Sequence, residues 1–158
     1  TDRSKYYVGE LNGRSSKQAY MDALHISESN IINQTFHNPI GKMNGQDICI
    51  ISLKEVSGNG LCCYRQVNDS DVLVLLEEQD YNEILDETLQ RIRRDFNHIS
   101  GVFSINCVFR YLLFSQEHHM EDYLKTMSTL GDHAGLIGFG EHYNQQFVNQ
   151  TMTCVVFE

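Results

Sequence analysis

No stretch of this chain approaches the about 20 consecutive apolar residues that a bilayer-crossing helix requires. Its longest greasy run, Val72 to Leu76, has strand length, and runs such as Val102-Phe103 are shorter still. No basic segment followed by an apolar one opens the chain, so nothing marks a secretory signal. Positive charge is scarce as well: 12 Lys and Arg stand against 21 Asp and Glu, a formal net charge of −9. The one basic cluster, Arg91, Arg93 and Arg94, falls in the last turns of an expected helix, where cations complement the helix dipole. A surface that tracks phosphates needs clustered Lys and Arg, so nucleic acid is not an expected partner, nor is an anionic membrane surface. The Cys-x-x-Cys spacing is missing altogether. Five cysteines form an odd set: Cys62 and Cys63 are adjacent, while Cys49, Cys107 and Cys154 stand alone in apolar runs. A secreted disulfide framework uses even counts, and a lone Cys in an apolar run behaves as a small hydrophobe. The expected compartment is reducing and cytoplasmic. There are no internal repeats and no low-complexity segments.

What is present is an ordinary globular balance, 41% apolar and 21% charged over 158 residues, enough to bury a core without disulfides or metal. One domain over 1–158 is expected. The chain opens on Thr1-Asp2-Arg3 and not on Met, which reads as a segment excised from a longer signalling protein.

Local patterns predict an α/β chain of the α+β kind, a mixed β-sheet with helices packed on it, in the order β-α-β-β-β-α-β-α-β-β. A short strand is expected over 6–10, then a turn at Asn12-Gly13. Ser15 and Gln18 resemble a capping box opening a helix to about His25. The stretch 27–47 holds the single proline, Pro39, with Gly41 and Gly45, and reads as loop with a short helical piece near Ile31. Strands are expected over 48–54 and 61–67, joined through Ser57-Gly58-Asn59-Gly60, and a buried strand over 71–76. Asp80 and Glu83 cap the clearest helix, 80–97, with Ile84, Leu85, Leu89, Ile92 and Phe96 on one face. A strand over 99–105, a helix to about Leu130 carrying Met120, Tyr123, Leu124 and Met127, and strands over 134–140 and 152–157 complete the pattern.

Chemistry concentrates after residue 105. Ile105-Asn106-Cys107-Val108-Phe109-Arg110 carries a polar pair and an arginine from a strand end into a helix, where free backbone N–H groups can meet an anion. Arg110 has two readings, a structural ion pair or a carboxylate holder. Cys107 is a core residue or, with a base nearby, a nucleophile. Gly138-Phe139-Gly140-Glu141-His142-Tyr143 sets an acid and a histidine after two glycines that permit close backbone approach. Asn149-Gln150-Thr151 opens the last strand; its match to a glycosylation sequon has no secretory context to support it.

The order of these pieces resembles the FIST C-terminal domain. Asn106, Cys107 and Arg110, a helix, Gly138, Phe139, Gly140 and Glu141, then Asn149 and Thr151 before an apolar strand carry the likeness. Gly9 to Arg14 before a helix, the Pro39 segment and the hairpin with Arg65 follow a similar order, so the likeness covers nearly the whole chain. Two positions depart from it: Phe109 stands where the family usually has glycine, and His142 where an apolar residue is more usual. The resemblance implies the second half of a bacterial sensory module on signalling proteins, with no catalytic activity. Its implied partners are the FIST N-terminal half and an output domain in the parent chain.

The leading functional reading is a sensory domain for a small, amino-acid-like ligand. In it Arg110 holds a carboxylate, Glu141 an ammonium group, and Asn106, Cys107, His142, Asn149 and Thr151 complete the site. No cofactor or metal is expected in that reading. An alternative is a haem-based nitric-oxide sensor with His142 as axial ligand, His118 and His119 being further candidates. A second alternative is a cysteine-dependent enzyme pairing Cys107 with His142.

Overall fold

The computed structural model describes residues 3–143 and 146–158, with backbone alone at residues 3, 4, 143 and 146. Thr1 and Asp2, which open the expected cut point, lie outside the described residues. The chain divides into two compact units, Thr1–Glu78 and Gln79–Glu158, and the mixed α/β class holds, with the strands divided among several small sheets.

In the first unit, β1 (Tyr7–Val8) is followed by β2 (Glu10–Leu11) and β3 (Arg14–Ser15), a hairpin turned at Asn12 and Gly13. Both turn residues have positive φ, 52° and 73°, the geometry that favours Asn-Gly in two-residue hairpins. Helix α1 (Ser16–Leu24) begins as the sequence predicts, with the Ser15 hydroxyl accepting from the Gln18 N–H. Then come α2 (Ile31–Gln34), β4 (Ile40–Asn44), β5 (Asp47–Ile51), β6 (Leu53–Ser57), β7 (Gly60–Cys63) and β8 (Leu73–Leu75).

Three expectations change in this unit. The stretch 27–47, which has the composition of a loop, contains β4, the middle strand of the sheet β5-β4-β8. Gly41 is a packing glycine and not a turn residue: a Cβ there would stand 2.7 Å from Ile48 Cγ2 and 3.0 Å from Leu76. The expected strand 48–54 is split at the buried Ser52, β5 pairing with β4 and β6 with β7. The Thr35 hydroxyl accepts from the Leu53 N–H at 2.9 Å and anchors β6 where it starts. Finally, β8 pairs only with β4 among the described residues, so this strand is an edge and Leu75 is exposed. The core of this unit is Tyr20, Ile31, Ile40, Ile51, Leu53 and Leu61, each such aliphatic burial stabilising by roughly 1.5–3 kcal/mol.

The second unit opens with α3 (Tyr81–Asp95), whose cap residue Asp80 accepts from the Asn82 and Glu83 N–H groups. Arg93 and Arg94 lie in its last turn, the structural placement expected for the basic cluster. Next come β9 (Gly101–Cys107), α4 (Val108–Gln116) and α5 (Met120–Met127). The single long helix that the spacing predicts up to Leu130 is broken at His118, which sits at a φ of 56°, and ends in a short 3-10 turn over Ser128–Leu130. Strand β10 (Asp132–Gly138), the hairpin of β11 (Glu141–Tyr143) and β12 (Gln146–Val148), and β13 (Met152–Phe157) follow.

Strand β9 is the centre of a mixed sheet, parallel to β10 and antiparallel to β13. A parallel pair requires a crossover, and α4 with α5 supply it. Strand periodicity then puts Val102, Ser104 and Asn106 on one face. All three are buried, and Ser104 and Asn106 meet Tyr123 of α5 there. Register aligns Ser104 with Gly135 and Asn106 with both Ile137 and Met152.

Candidate functional site

The end of β9 gathers most of the residues to which the sequence assigns chemistry. Cys107 is the last strand residue and the cap position of α4, and its backbone N–H donates to the Thr151 carbonyl at 3.0 Å. This bond ties the segment before β13 to the strand end. Arg110, in the first turn of α4, lays its guanidinium over the Phe114 ring, 4.7 Å from the centroid, and over Tyr123 at 5.6 Å. Its Nε is buried and has no hydrogen-bond partner among the described residues. Burial pulls the Arg110 pKa down, opposed by Tyr123 and Glu141.

Glu141 begins β11 just after Gly140 and is only 3% exposed. Its Oε2 accepts from the Thr151 hydroxyl at 2.7 Å, while Oε1 is buried and without a partner among the described residues. Burial raises its pKa, and the Thr151 bond and the nearby Arg110 work the other way. Arg110 and Glu141 attract each other, yet no ion pair joins them among the described residues. Gly140, at a φ of 141°, could not carry a side chain: a Cβ would overlap the Phe147 ring and stand 3.2 Å from Asn149 Oδ1. Asn149 is thereby packed beneath the glycine, 5% exposed. A side chain so enclosed does not match the surface position a sequon needs.

Asn106 reaches to Tyr123 of α5, whose ring also lies under the Arg110 guanidinium. Its Nδ2 donates to the Tyr123 hydroxyl at 2.8 Å, and its Oδ1 is buried and unpartnered among the described residues. The Tyr123 hydroxyl donates to Met152 Sδ at 3.1 Å, and Ser104 Oγ and His133 Nε2 are hydrogen-bonded at 2.9 Å. Burial pushes the His133 pKa down. Sequence reasoning assigns no chemistry to Tyr123, Ser104 or His133. A tyrosine in an apolar helix stripe is the signal that could have found them, because a buried hydroxyl needs a partner.

The remaining candidates lie apart from this arrangement. His142 is exposed and rests against the Phe147 ring at 5.2 Å between centroids. Cys107 is 1% exposed, and no hydrogen bond joins it to His142 among the described residues. His118 is exposed, whereas His119 packs its ring between Tyr81 and Phe114, 4.7 and 5.0 Å away. His119 is thus part of an aromatic cluster and not of the solvated helix face that its polar neighbours suggest. No helix among the described residues is long and apolar enough to cross a membrane.

Residues 17–144 match the family model described as the FIST C domain. No curated protein and no solved structure matches the chain.

Proposed function

This chain belongs to the FIST C domain family, which is associated with sensory and signal-transduction proteins, and from that premise we propose that it is a cytoplasmic sensory domain for a small amino-acid-like ligand. It passes the bound state to an output domain of a longer bacterial chain, beside the N-terminal half of the FIST module. It is not an enzyme in this reading.

The observation that carries the reading is the pair Arg110 and Glu141, opposite charges whose Nε and Oε1 atoms are buried and unpartnered among the described residues. A buried polar atom left without a partner costs about 1–3 kcal/mol, more when charged. A zwitterion offers what both lack, a carboxylate for the guanidinium and an ammonium for the carboxylate. Thr151 holds Glu141 in place, Asn149 supports the Gly140 turn before it, and the Cys107 backbone fastens Thr151. Asn106 stands beside the site at the strand end, and His142 is the outward neighbour of Glu141.

The alternatives draw less support. A haem needs a large apolar slot beside its axial ligand, and His142 is an exposed hairpin residue against Phe147, so the residues present do not fit that group. A cysteine nucleophile needs access and a base, and Cys107 is sealed in the core.

Calorimetric titration of the chain with a panel of free amino acids tests the proposal. Binding of at least one, weakened about tenfold or more by Arg110→Met and by Glu141→Gln, is the expected result; a tenfold change is about 1.4 kcal/mol. Affinity indifferent to both substitutions, or no binding by any amino acid, overturns it.

A further inference from the structure

Between the face of β9 and β10 and the helices α4 and α5 is a cavity of about 150 Å³. Neither Arg110 nor Glu141 lines it, so the probes that test it are read at residues outside that pair.

Three features define what the cavity accepts. The first is size: a cavity of this volume accommodates a molecule of about six heavy atoms, benzene being the reference case. The second is charge. The lining includes Phe114, Met120, Leu124 and Ile137 and contains no Asp, Glu, Lys or Arg. An ion placed there would lose its hydration with no counter-charge to replace it. His133 supplies none, because burial favours its neutral ring.

The third is hydrogen-bonding polarity. Ser104, Asn106, Tyr123 and His133 all line the cavity. Asn106 Nδ2 is engaged by Tyr123, the Tyr123 proton goes to Met152, and Ser104 Oγ is hydrogen-bonded to His133 Nε2. Among the described residues, the one buried side-chain atom of this lining left without a partner is an acceptor, Asn106 Oδ1, on a residue only 7% exposed. It lacks a donor.

We propose that this cavity binds a small uncharged molecule carrying an O–H or N–H donor on a short aliphatic body, a short-chain alcohol or primary amide. The donor meets Asn106 Oδ1, and the aliphatic part lies against Leu124 and Ile137. Gly135 leaves Ser104 its place in the floor, since a Cβ there would stand 2.6 Å from the Ser104 carbonyl and hydroxyl oxygens.

The test is a titration of the isotope-labelled full chain, followed by backbone amide shifts. The probes are isobutanol and isobutyramide as donors, butanone as an acceptor-only isostere, and isobutyrate and isobutylammonium as charged controls. The donor probes are expected to shift the amides of residues 104, 106 and 133–137 saturably. Butanone is expected to bind about tenfold more weakly, the size of one lost hydrogen bond to a buried acceptor, and the charged probes less still. Leu124→Trp fills the cavity from a rim position that is 46% exposed. It is expected to abolish the shifts while leaving the melting temperature unchanged, and Asn106→Leu to erase the preference for donors. Butanone or a charged probe binding as well as isobutanol overturns the proposal, as does full binding in a folded Leu124→Trp. Absence of any shift at these residues also overturns it.

Discussion

Thr151 donates its hydroxyl to one carboxylate oxygen of Glu141 at 2.7 Å and leaves the other, Oε1, buried without a partner among the described residues. The two residues are ten apart in sequence, and the hairpin of β11 and β12 lies between them. A half-satisfied buried carboxylate is a cost to the unliganded fold, and that cost can be measured.

Glu141→Gln removes the charge while keeping the shape. The unliganded chain is expected to gain about 1 kcal/mol at neutral pH, while ligand affinity falls. Because burial raises the Glu141 pKa in the folded state, the folded carboxyl binds its proton more tightly than the unfolded one. Wild-type stability therefore declines as pH rises from the ordinary carboxylate value through the raised one. Urea unfolding across that range should show this limb in wild type and not in Glu141→Gln; a variant less stable at neutral pH would contradict the account.

Tyr123→Phe deletes the hydroxyl that accepts from Asn106 and donates to Met152. It leaves the Asn106 amide with only a long 3.5 Å contact to Ser104. A loss of about 1–3 kcal/mol is expected, the cost of stranding a buried donor. An unchanged denaturant slope would show that the native state remained compact.

His133 titrates in the opposite sense to Glu141. Burial lowers its folded pKa, so just below the ordinary histidine value the unfolded chain binds a proton that the folded ring does not. Stability is fully present above that value, falls as pH drops through it, and levels off once the folded ring also protonates. Thermal melts of wild type and His133→Gln between neutral and mildly acidic pH should differ in this limb. Parallel curves would remove His133 as the cause.

Gly140→Ala is expected to destabilise the chain by at least about 1 kcal/mol, because the backbone is in a region that L residues rarely adopt and the new methyl meets Phe147. Hydrogen exchange should show the loss first in the β11–β12 hairpin. Protection there equal to wild type would mean that the turn does not depend on glycine.

Local signals are legible in the sequence wherever the physics is local. Ser15 and Asp80 cap the helices they are expected to cap, since a side chain reaching an N–H two or three residues on needs no distant partner. The Asn12-Gly13 turn follows from turn chemistry, whereas the strand expected over 99–105 runs on to Cys107; the order of the site residues carries the family resemblance. Gly41 misleads because a glycine reads as a turn signal while its reason here is Ile48 and Leu76, which pack against it only once the sheet forms. The break at His118 is hidden for a similar reason. Helical spacing continues across it, and the residue with positive φ there is a histidine, not the glycine that would signal a break.

By itself the sequence determined the α/β class and the starts of the helices that Ser15 and Asp80 cap. Tertiary structure alone decided which atoms of Asn106, Arg110, Glu141 and Thr151 are satisfied. Register between β9, β10 and β13 brings Ser104, Asn106, His133 and Met152 around Tyr123, and such pairings span up to 29 residues that no local pattern connects. A hydrogen bond depends on where both ends are held, so the unpartnered atoms of Arg110, Glu141 and Asn106 become visible only after every other group has found its place.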